Sequence, residues 1–464
     1  MELSRDIDVR RSQARDASGL EMVPDAVARA SSIDDVLAVM REAAGTTTPV
    51  TPAGSQTSTT GASITDRGIL LSLRGMDRIL DIDPGTRTAR VEPGVTVAAL
   101  DRAAAEAGLS FAPDPTSEHD ATIGGAVACN ASGARSLRYG PTRNHVRALR
   151  VVTAAGELVR YRRTMLEKNT VGYTVAQEPV DWFVGSEGTL GIVVEAEFAL
   201  VPRPVRVTGL AIPFATQEAA LAFVVAAREM GDDPSSRARA QCIEYFDDQA
   251  LAIARTAADD ARWAEGAGGL VYIEQAFGHD GDDAGGDDVL DRWLALAAAH
   301  GASDADVRAY DDPAALREAR RFRHAVPAHM NERGATRRPF GGRKVSTDWA
   351  VPYHRLAQAL IGARAAAERA HCQLPVTYGH AGNGHPHQNF IAHDAEELRR
   401  IDGVVAETIQ CVLELGGTVA AEHGLGKLKR HWLERQLAPA QVGVMRALKH
   451  VLDPHGLLAP GNVL

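Results

Sequence analysis

The sequence predicts an α+β fold in two domains that meet near residue 204. The chain has 464 residues, which is more than one hydrophobic core usually organises. Short Val/Ile/Leu runs alternate with glycine- and proline-rich turns as far as Pro202-Arg203-Pro204, and long alanine-rich runs with helical spacing follow. Because a prolyl pair stiffens a linker better than it fits inside a domain, we place a boundary there.

Each half contains both strands and helices. In the first half the pattern predicts strands at 68–73, 90–92, 149–153 and 192–201 and helices at 32–43 and 97–107. In the second half it predicts helices at 217–229, 247–262, 287–300, 313–323 and 353–371 and strands at 270–275 and 374–378. The acidic segment 278–288 is predicted to be a solvated loop, because Ala284 occupies a position that a calcium loop needs for a ligand.

Composition narrows the class of protein. Apolar residues make up 45% and charged residues 24%, as in an ordinary globular protein. The net charge of −10, without a basic block, argues against a nucleic-acid partner. Four scattered cysteines form no Cys-x-x-Cys pair, which argues against a local iron–sulfur or zinc motif. A charged N-terminus and the lack of about 18 consecutive apolar residues lead us to expect a cytoplasmic protein.

A glycine-, serine- and threonine-rich segment at 49–63 is the first candidate binding loop. Its small side chains leave backbone N–H groups free to point inward, which suits a pyrophosphate, although such a run is also typical of a plain loop. No Gly-x-Gly-x-x-Gly follows a predicted strand, so the sequence argues against a nicotinamide dinucleotide domain. Gly185-Ser-Glu-Gly188 is not a nucleophile elbow.

Residues 376–391 contain three histidines and are predicted to form a β-hairpin. With the turn centred between Asn383 and Gly384, His380 would face His387, and Tyr378 would face Asn389 on the same side of the sheet. Two imidazoles about 5 Å apart at Cβ can meet one divalent ion. His385 would fall in the turn and point to solvent, and the plainer alternative is a pair of surface histidines.

The segment 416–427 offers a further ligand, because Glu422 supplies the carboxylate of a two-histidine, one-carboxylate set with an open position. The alternative is a strand that ends in a glycine turn.

Three more segments of the first half carry a family resemblance: 91–95, 113–140 and 183–192. In this order they resemble the FAD-binding domain of the vanillyl-alcohol oxidase and p-cresol methylhydroxylase (PCMH) superfamily, over residues 24–204. The resemblance implies a two-subdomain, PCMH-type fold with FAD across it. It assigns to the cofactor Gly54, Ser55, Gln56, Thr57, Ser58, Pro115, Thr116, Thr122, Gly124, Gly125, Asn130, Ser132, Gly133, Gly140, Glu187, Gly188, Gly191 and Ile192.

Two departures from this family affect the expected cofactor. The first loop reads Ala53-Gly-Ser-Gln-Thr-Ser58 where relatives often have three consecutive glycines. No histidine stands clearly where relatives with covalently attached flavin carry one, so we expect non-covalent FAD.

The hairpin and the 416–427 segment together resemble the C-terminal domain of FAD-linked D-lactate, glycolate and D-2-hydroxyglutarate dehydrogenases, over residues 205–464. The resemblance implies an α+β cap of antiparallel sheet and helices at 205–430, after an FAD-binding domain at 1–204 and before a segment at 431–464 that returns to it. It implies that His380, His387 and Glu422 hold a divalent metal, with zinc preferred over manganese or iron. It makes His423 the base and assigns Arg323, Lys344 and Asn389 to the substrate.

Oxidation of a 2-hydroxy acid needs a base, a Lewis acid and a cationic clamp, all of which these residues supply. Pro327 stands where hydroxyglutarate-type relatives tend to have a hydroxyl residue that helps with a second carboxylate. We therefore expect a small D-2-hydroxy monocarboxylate such as D-lactate. Gly382-Asn-Gly-His385 replaces the Gly-Asp-Gly-Asn of relatives and removes one negative charge from this turn.

Two alternatives stay open at this point. The chain would equally serve as the FAD-binding subunit of a glycolate oxidase-like or D-2-hydroxyglutarate dehydrogenase-like complex. From another class, a metal-dependent hydrolase would use the same ligands to activate water. The sequence leaves open whether the electron acceptor is a quinone, a cytochrome or an electron-transfer protein, and whether the chain forms a homodimer.

Overall fold

A computed structural model of the protein describes residues 3–233, 235–257, 262–278 and 286–464. The chain divides into two compact units. The first unit comprises Met1–Gly133, Tyr139–Arg203 and Glu422–Leu464, and the second comprises Ala134–Arg138 and Pro204–Ala421. Each contains strands and helices, so the α+β prediction is confirmed.

The first half of the chain alternates short strands with short helices. The strands are β1 (Ala26–Arg29), β2 (Val50–Ala53), β3 (Ile69–Ser72), β4 (Ile79–Asp83), β5 (Thr88–Val91), β6 (Leu109–Ser110), β7 (Val146–Val152), β8 (Leu158–Arg162), β9 (Ile192–Ala199) and β10 (Val201–Pro202). The helices are α1 (Ile7–Ser12), α2 (Ile33–Thr46), α3 (Val97–Ala105), α4 (Ile123–Cys129), α5 (Ser136–Tyr139), α6 (Thr142–His145), α7 (Thr174–Gln177) and α8 (Val180–Phe183).

These strands form two main sheets, each with its own core. A parallel sheet has the order β1-β3-β2 and packs with α2 around Val36, Met40 and Leu71. An antiparallel sheet has the order β4-β5-β9-β7-β8 and packs with α3 and α4 around Leu100 and Phe198. The first unit therefore contains two subdomains.

The second unit is built on one antiparallel sheet with the strand order β14-β11-β13-β12-β16-β17-β15. Its strands are β11 (Arg206–Phe214), β12 (Ala240–Asp247), β13 (Gly269–Phe277), β14 (Arg308–Tyr310), β15 (Gly341–Ser346), β16 (Val376–His380) and β17 (His385–Asp394). Its helices are α9 (Gln217–Asp232), α10 (Asp248–Arg255), α11 (Gly286–Ala299), α12 (Pro313–Ala335), α13 (Leu356–Arg369) and α14 (Ala395–Glu414).

Helices cover both faces of this sheet, and one face carries the candidate site. Phe322 and Val326 of α12 share a core with Tyr378 and Ile391 of the hairpin strands. On the opposite face, Phe390 and Ala392 pack in a core with residues of α13 and α14. Alternation along β17 therefore places its odd-numbered residues beneath α12.

The chain ends in the first unit. After residue 422 come α15 (Leu433–Gln436) and α16 (Pro439–Leu452), and Leu458 then forms a parallel bridge with Val50 of β2. Leu458 is fully buried in the core of the parallel sheet. Within the described residues, no helix combines the length and the apolar composition needed to cross a bilayer.

Most of the predicted elements are present, with two differences. The predicted helix 313–323 continues to Ala335 as α12, with Pro327 inside it. The predicted helix 247–262 ends at Arg255, and residues 258–261 lie outside the described residues. The acidic loop predicted at 278–288 falls largely on residues 279–285, which also lie outside them.

Candidate functional site

The loop Gly54–Ser58 follows β2 directly and lies against the start of α4. A Cβ on Gly54 would come within 2.1 Å of the Thr122 Oγ1 atom, so only glycine permits this approach. The Thr122 hydroxyl caps α4 by accepting a hydrogen bond from the Gly125 N–H at 3.3 Å. Gln56 has a positive φ of 58° and donates from Nε2 to the Gln13 and Ser63 carbonyls. The predicted first cofactor loop is thus ordered.

Two further glycines, Gly124 and Gly133, allow close approach between segments of the first unit. A Cβ on Gly124 would lie 2.7 Å from the Pro93 Cβ, and one on Gly133 would lie 2.3 Å from the Asp114 carbonyl oxygen. The predicted cofactor segments also carry half-buried hydroxyl residues, and hydroxyls and backbone amides are the donors that a pyrophosphate needs. These residues are Ser55, Thr57, Ser58 and Ser132. The residues present therefore fit an FAD phosphate chain.

The remaining residues that were predicted to bind FAD lie in several different surroundings. Asn130 ends α4 in the left-handed region and accepts a hydrogen bond from the Arg143 N–H at 2.9 Å. Ile192 is buried in the core of the parallel sheet, and a Cβ on Gly191 would lie 2.4 Å from Val151. Gly140 and Gly188 have positive φ angles, while Pro115 and Thr116 belong to the loop before α4. Their cofactor roles stay predictions.

Glu187 anchors the loop that carries His423. Its carboxylate accepts hydrogen bonds from the Leu425 N–H at 2.7 Å and the Gly426 N–H at 2.8 Å. Burial raises the pKa of this carboxyl in spite of these two bonds. Gly424 has no room for a side chain, because a Cβ there would lie 2.4 Å from Glu187 Oε1. The predicted cofactor residue Glu187 therefore has a positioning contact to loop 423–427.

Glu422 and His423 belong to the first unit and contact its cofactor segments. The Ser132 hydroxyl lies 3.4 Å from Glu422 Oε2, and the Thr60 hydroxyl donates to the His423 carbonyl at 3.3 Å. The His423 Nε2 atom lies 3.3 Å from Glu422 Oε1, and the His423 side chain is 29% exposed. The structure thus holds the predicted base, partly accessible, among residues predicted to bind FAD.

The hairpin of the second unit has a different register from the predicted one. His380 pairs with His385, and Tyr378 pairs with His387. The prediction that His380 faces His387 is therefore wrong by two residues. Residues 381–383 form a tight helical turn, and Gly384 closes it with a φ of 66°, so the connection lies wholly between the two histidines. The predicted solvent exposure of His385 is also wrong, since it is 4% exposed.

Because the shift is even, the histidines still share one face of the sheet. The ring centroids of His380 and His387 are 5.3 Å apart, those of His380 and His385 are 5.4 Å apart, and those of His385 and His387 are 4.7 Å apart. Their ligand nitrogens lie within 4.8 Å of one another. Three buried imidazoles at this spacing fit a divalent transition-metal ion.

Glu244 of β12 joins His380 to Arg323. The His380 Nδ1 atom lies 2.6 Å from Glu244 Oε1, and Arg323 Nε donates to Glu244 Oε2 at 2.6 Å. Burial alone would raise the pKa of Glu244, but the charges of Arg323 and His380 outweigh it and hold that pKa below its usual range. An ionised Glu244 accepts the Nδ1 proton, and the tautomer fixed in this way carries its lone pair on Nε2, the nitrogen through which such a histidine binds a metal.

Lys344 and Asn389 lie on the same sheet face as the histidines, as the pairing of β15 with β17 shows. Lys344 Nζ donates to Asn331 Oδ1 of α12 at 2.5 Å, and burial lowers the pKa of this lysine. Asn389 is 1% exposed, yet neither atom of its amide has a hydrogen-bond partner in the described part of the chain. A buried amide without a partner is typical of a group that awaits a ligand.

Two functional candidates in the second unit, Glu244 and Asp348, were not predicted from the sequence, and His385 was predicted to point to solvent without a role. Glu244 is the one acidic residue within Cys242-Ile-Glu-Tyr-Phe246, and a charge inside an apolar strand predicts a buried, paired group. That signal was present in the sequence. Asp348 Oδ1 lies 3.2 Å from His385 Nε2, a contact that depends on the observed hairpin register.

Two known protein families together match most of the chain. Residues 24–162 match a family described as FAD binding domain, and residues 203–463 match the family described as FAD linked oxidases, C-terminal domain. The predicted FAD-binding domain is therefore confirmed.

Curated relatives align with 94–96% of the chain. It is 31% identical to glycolate oxidase subunit GlcD of Bacillus subtilis over 447 residues, which is 96% of this chain and 89% of the relative. It is 31% identical to D-lactate dehydrogenase of Archaeoglobus fulgidus, covering 94% of this chain and 91% of the relative. It is 31% identical to D-2-hydroxyglutarate dehydrogenase of Xanthomonas citri, covering 95% of this chain and 89% of the relative.

Solved structures share the fold at low identity. Substrate-bound p-cresol methylhydroxylase matches with a TM-score of 0.73 and 14% identity, covering 99% of this chain and 93% of the other. An alkyldihydroxyacetonephosphate synthase matches with a TM-score of 0.71 and 17% identity, covering 99% and 82%. The fold is thus the predicted PCMH-type FAD-binding fold with an oxidase C-terminal domain. With both of its parts matched in order, the chain belongs to the family of FAD-linked oxidases.

Proposed function

We propose that the protein oxidises a small D-2-hydroxy monocarboxylate, such as D-lactate, to the 2-oxo acid. The observation that carries the proposal lies in the first unit, where Thr60, Ser132 and Glu187 hold the segment 422–427. These three contacts place the partly exposed His423 among the segments expected to bind FAD. The relatives named for D-lactate, glycolate and D-2-hydroxyglutarate support the substrate class.

When bound, FAD supplies the acceptor for the hydride that leaves C2 of the substrate. His423 is the proposed general base that accepts the proton of the substrate hydroxyl, since a neutral imidazole is the ordinary base near neutral pH. Glu422 Oε1, 3.3 Å from the Nε2 atom of His423, stabilises the imidazolium that this transfer forms. Glu422 is also the proposed carboxylate ligand of the metal, a role that stays a prediction.

A divalent metal ion bound here would supply a Lewis acid, which would lower the pKa of the substrate hydroxyl. His380 and His387 are its proposed imidazole ligands, and zinc is the proposed ion, with manganese and iron as alternatives. The buried Glu244 supports this assignment, because it fixes the tautomer and the ring orientation of His380.

The substrate carboxylate needs cations and amide donors. Arg323 is held by Glu244 at one edge of its guanidinium, and Lys344 and Asn389 lie on the sheet face that carries the histidines. The unpartnered Asn389 amide supports a contact with the substrate. These assignments suit a compact 2-hydroxy acid, and the proposed preference for one carboxylate rests on Pro327.

The His423→Ala variant tests the proposal. We expect the purified variant to keep its yellow colour but to show no anaerobic loss of flavin absorption with D-lactate, whereas the wild-type colour bleaches. The His431→Ala variant, which alters an exposed histidine of the same unit, should bleach like the wild type. Bleaching of the His423→Ala variant at the wild-type rate would exclude His423 as the base.

A further inference from the structure

We propose that His385 is a third imidazole ligand of the metal ion. This inference rests on the proposed function in one respect: it assumes the metal ion that His380 and His387 are proposed to bind. It concerns residues of the second unit alone. It also differs from the ligand set that the sequence analysis expected, in which His385 had no role.

The position of His385 is the first observation in its favour. In the observed register it stands directly opposite His380, and its ring centroid is 4.7 Å from that of His387, the shortest of the three spacings. All three rings are nearly buried, with exposures of 3%, 4% and 9% for His380, His385 and His387. A polar group in such surroundings needs a partner.

His385 has a charged neighbour within the protein but no hydrogen bond to it. Its Nε2 atom lies 3.2 Å from Asp348 Oδ1, but the contact lacks hydrogen-bond geometry, and Nε2 has no other partner among the described residues. The ligand nitrogens of the three histidines lie within 4.8 Å of one another, so an ion bound by His380 and His387 is within reach of His385.

Charge supports the same assignment. Asp348 is 2% exposed and its Oδ1 atom lies 3.2 Å from His385 Nε2, so a buried negative charge near the proposed ligand favours a cation at this place. An additional nitrogen ligand favours zinc, cobalt or nickel over manganese or magnesium.

The test counts the ligands of the wild-type protein loaded with Zn²⁺ and compares its affinity with that of two variants. X-ray absorption of the zinc-loaded protein should show three imidazoles. The His385→Asn variant should show two, and its zinc dissociation constant, measured by chelator competition, should rise about 10–100-fold. The His354→Asn variant, with an exposed histidine of the same unit exchanged, should keep the wild-type constant.

The outcomes separate this inference from the proposed function. Two imidazoles in the wild type, or equal zinc constants for wild type and His385→Asn, would overturn the role of His385 and leave the metal itself in place. A wild-type protein that binds no zinc, manganese or iron would overturn the metal assignment as a whole. The ligand count of the wild type needs no variant, so a folding defect in His385→Asn cannot hide the answer.

Discussion

Lys427 shows how burial sets the charge of a single side chain beside the candidate base. Its Nζ atom donates to the Gly61 carbonyl at 3.1 Å and to Asn462 Oδ1 at 2.7 Å. Burial lowers the pKa of this lysine to about 8. A neutral amine still donates two hydrogen bonds, so both contacts survive loss of the proton. Deprotonation thus removes a buried charge without breaking the contacts that fix loop 423–427.

The stability of the protein should depend on pH through Lys427. Between about pH 8 and the reference lysine value of about 10.4, the unfolded chain holds a proton that the folded chain lacks. The free energy of unfolding therefore rises with pH across this window. In Lys427→Met the rise should be smaller, as measured by urea denaturation from pH 7 to 10.5. A variant of the exposed Lys168 should keep the wild-type slope, and an equal slope in Lys427→Met would contradict the shift.

Pro327 is the residue that decides the expected preference for a monocarboxylate. It lies inside α12, four residues after Arg323, and its ring removes the N–H that would bond the Arg323 carbonyl. A threonine there restores that N–H and adds a hydroxyl on the helix that supplies Arg323.

We expect Pro327→Thr to raise kcat/KM for D-2-hydroxyglutarate relative to D-lactate by about tenfold, the effect of one hydrogen bond of roughly 1.4 kcal/mol. Pro327→Ala is the matched control, because it restores the N–H without the hydroxyl. If both variants change the ratio equally, the hydroxyl has no part in selecting the substrate.

At the level of elements, the hairpin of β16 and β17 shows what could be predicted and what could not. Alternation predicted that Tyr378, His380, His387 and Asn389 share a face, and they do. The register depends on whether the loop has two residues, 383–384, or four residues, 381–384. The Asn383-Gly384 pair is compatible with both loops. The structure has the longer loop, because Gly384 packs against the Val351 carbonyl, a contact that no local pattern reveals.

Gly384 should therefore be intolerant of any side chain. A Cβ there would lie 1.9 Å from the Val351 carbonyl oxygen, at a φ of 66°. We expect Gly384→Ala to lower the free energy of unfolding by about 2–4 kcal/mol and to weaken zinc binding. Gly416→Ala is the control, since Gly416 has a similar φ of 77° but open space around its Cβ position. It should cost only about 1 kcal/mol, and equal losses in urea denaturation would show that the contact with Val351 is unimportant.

At the level of the whole molecule, contacts between distant parts of the sequence were the least predictable. The motifs of the first half identified the FAD-binding domain, because its glycine-rich segments are local. The partners of Glu187 and Thr60, in contrast, come from loop 423–427, and Val50 of β2 bridges Leu458. Such pairings depend on how the chain returns to the first unit, which periodicity and composition do not encode. The predicted domain boundaries at residues 204 and 430 stay predictions.

The FAD of this protein should be bound without a covalent link. No histidine stands clearly where relatives with covalently attached flavin carry one, so the contacts expected with FAD are hydrogen bonds. Precipitation with acid should leave a colourless pellet and release all of the flavin into the supernatant, where its spectrum and mass identify FAD. Yellow colour retained by the washed pellet would contradict the prediction.

Anaerobic flavin reduction by matched enantiomers tests the central claim most directly. D-lactate should bleach the flavin absorption of the wild-type protein, whereas L-lactate should not. Removal of the divalent metal should slow the bleaching while the FAD stays bound. Flavin absorption that persists with every D-2-hydroxy acid offered to the metal-loaded protein would contradict the proposed oxidation.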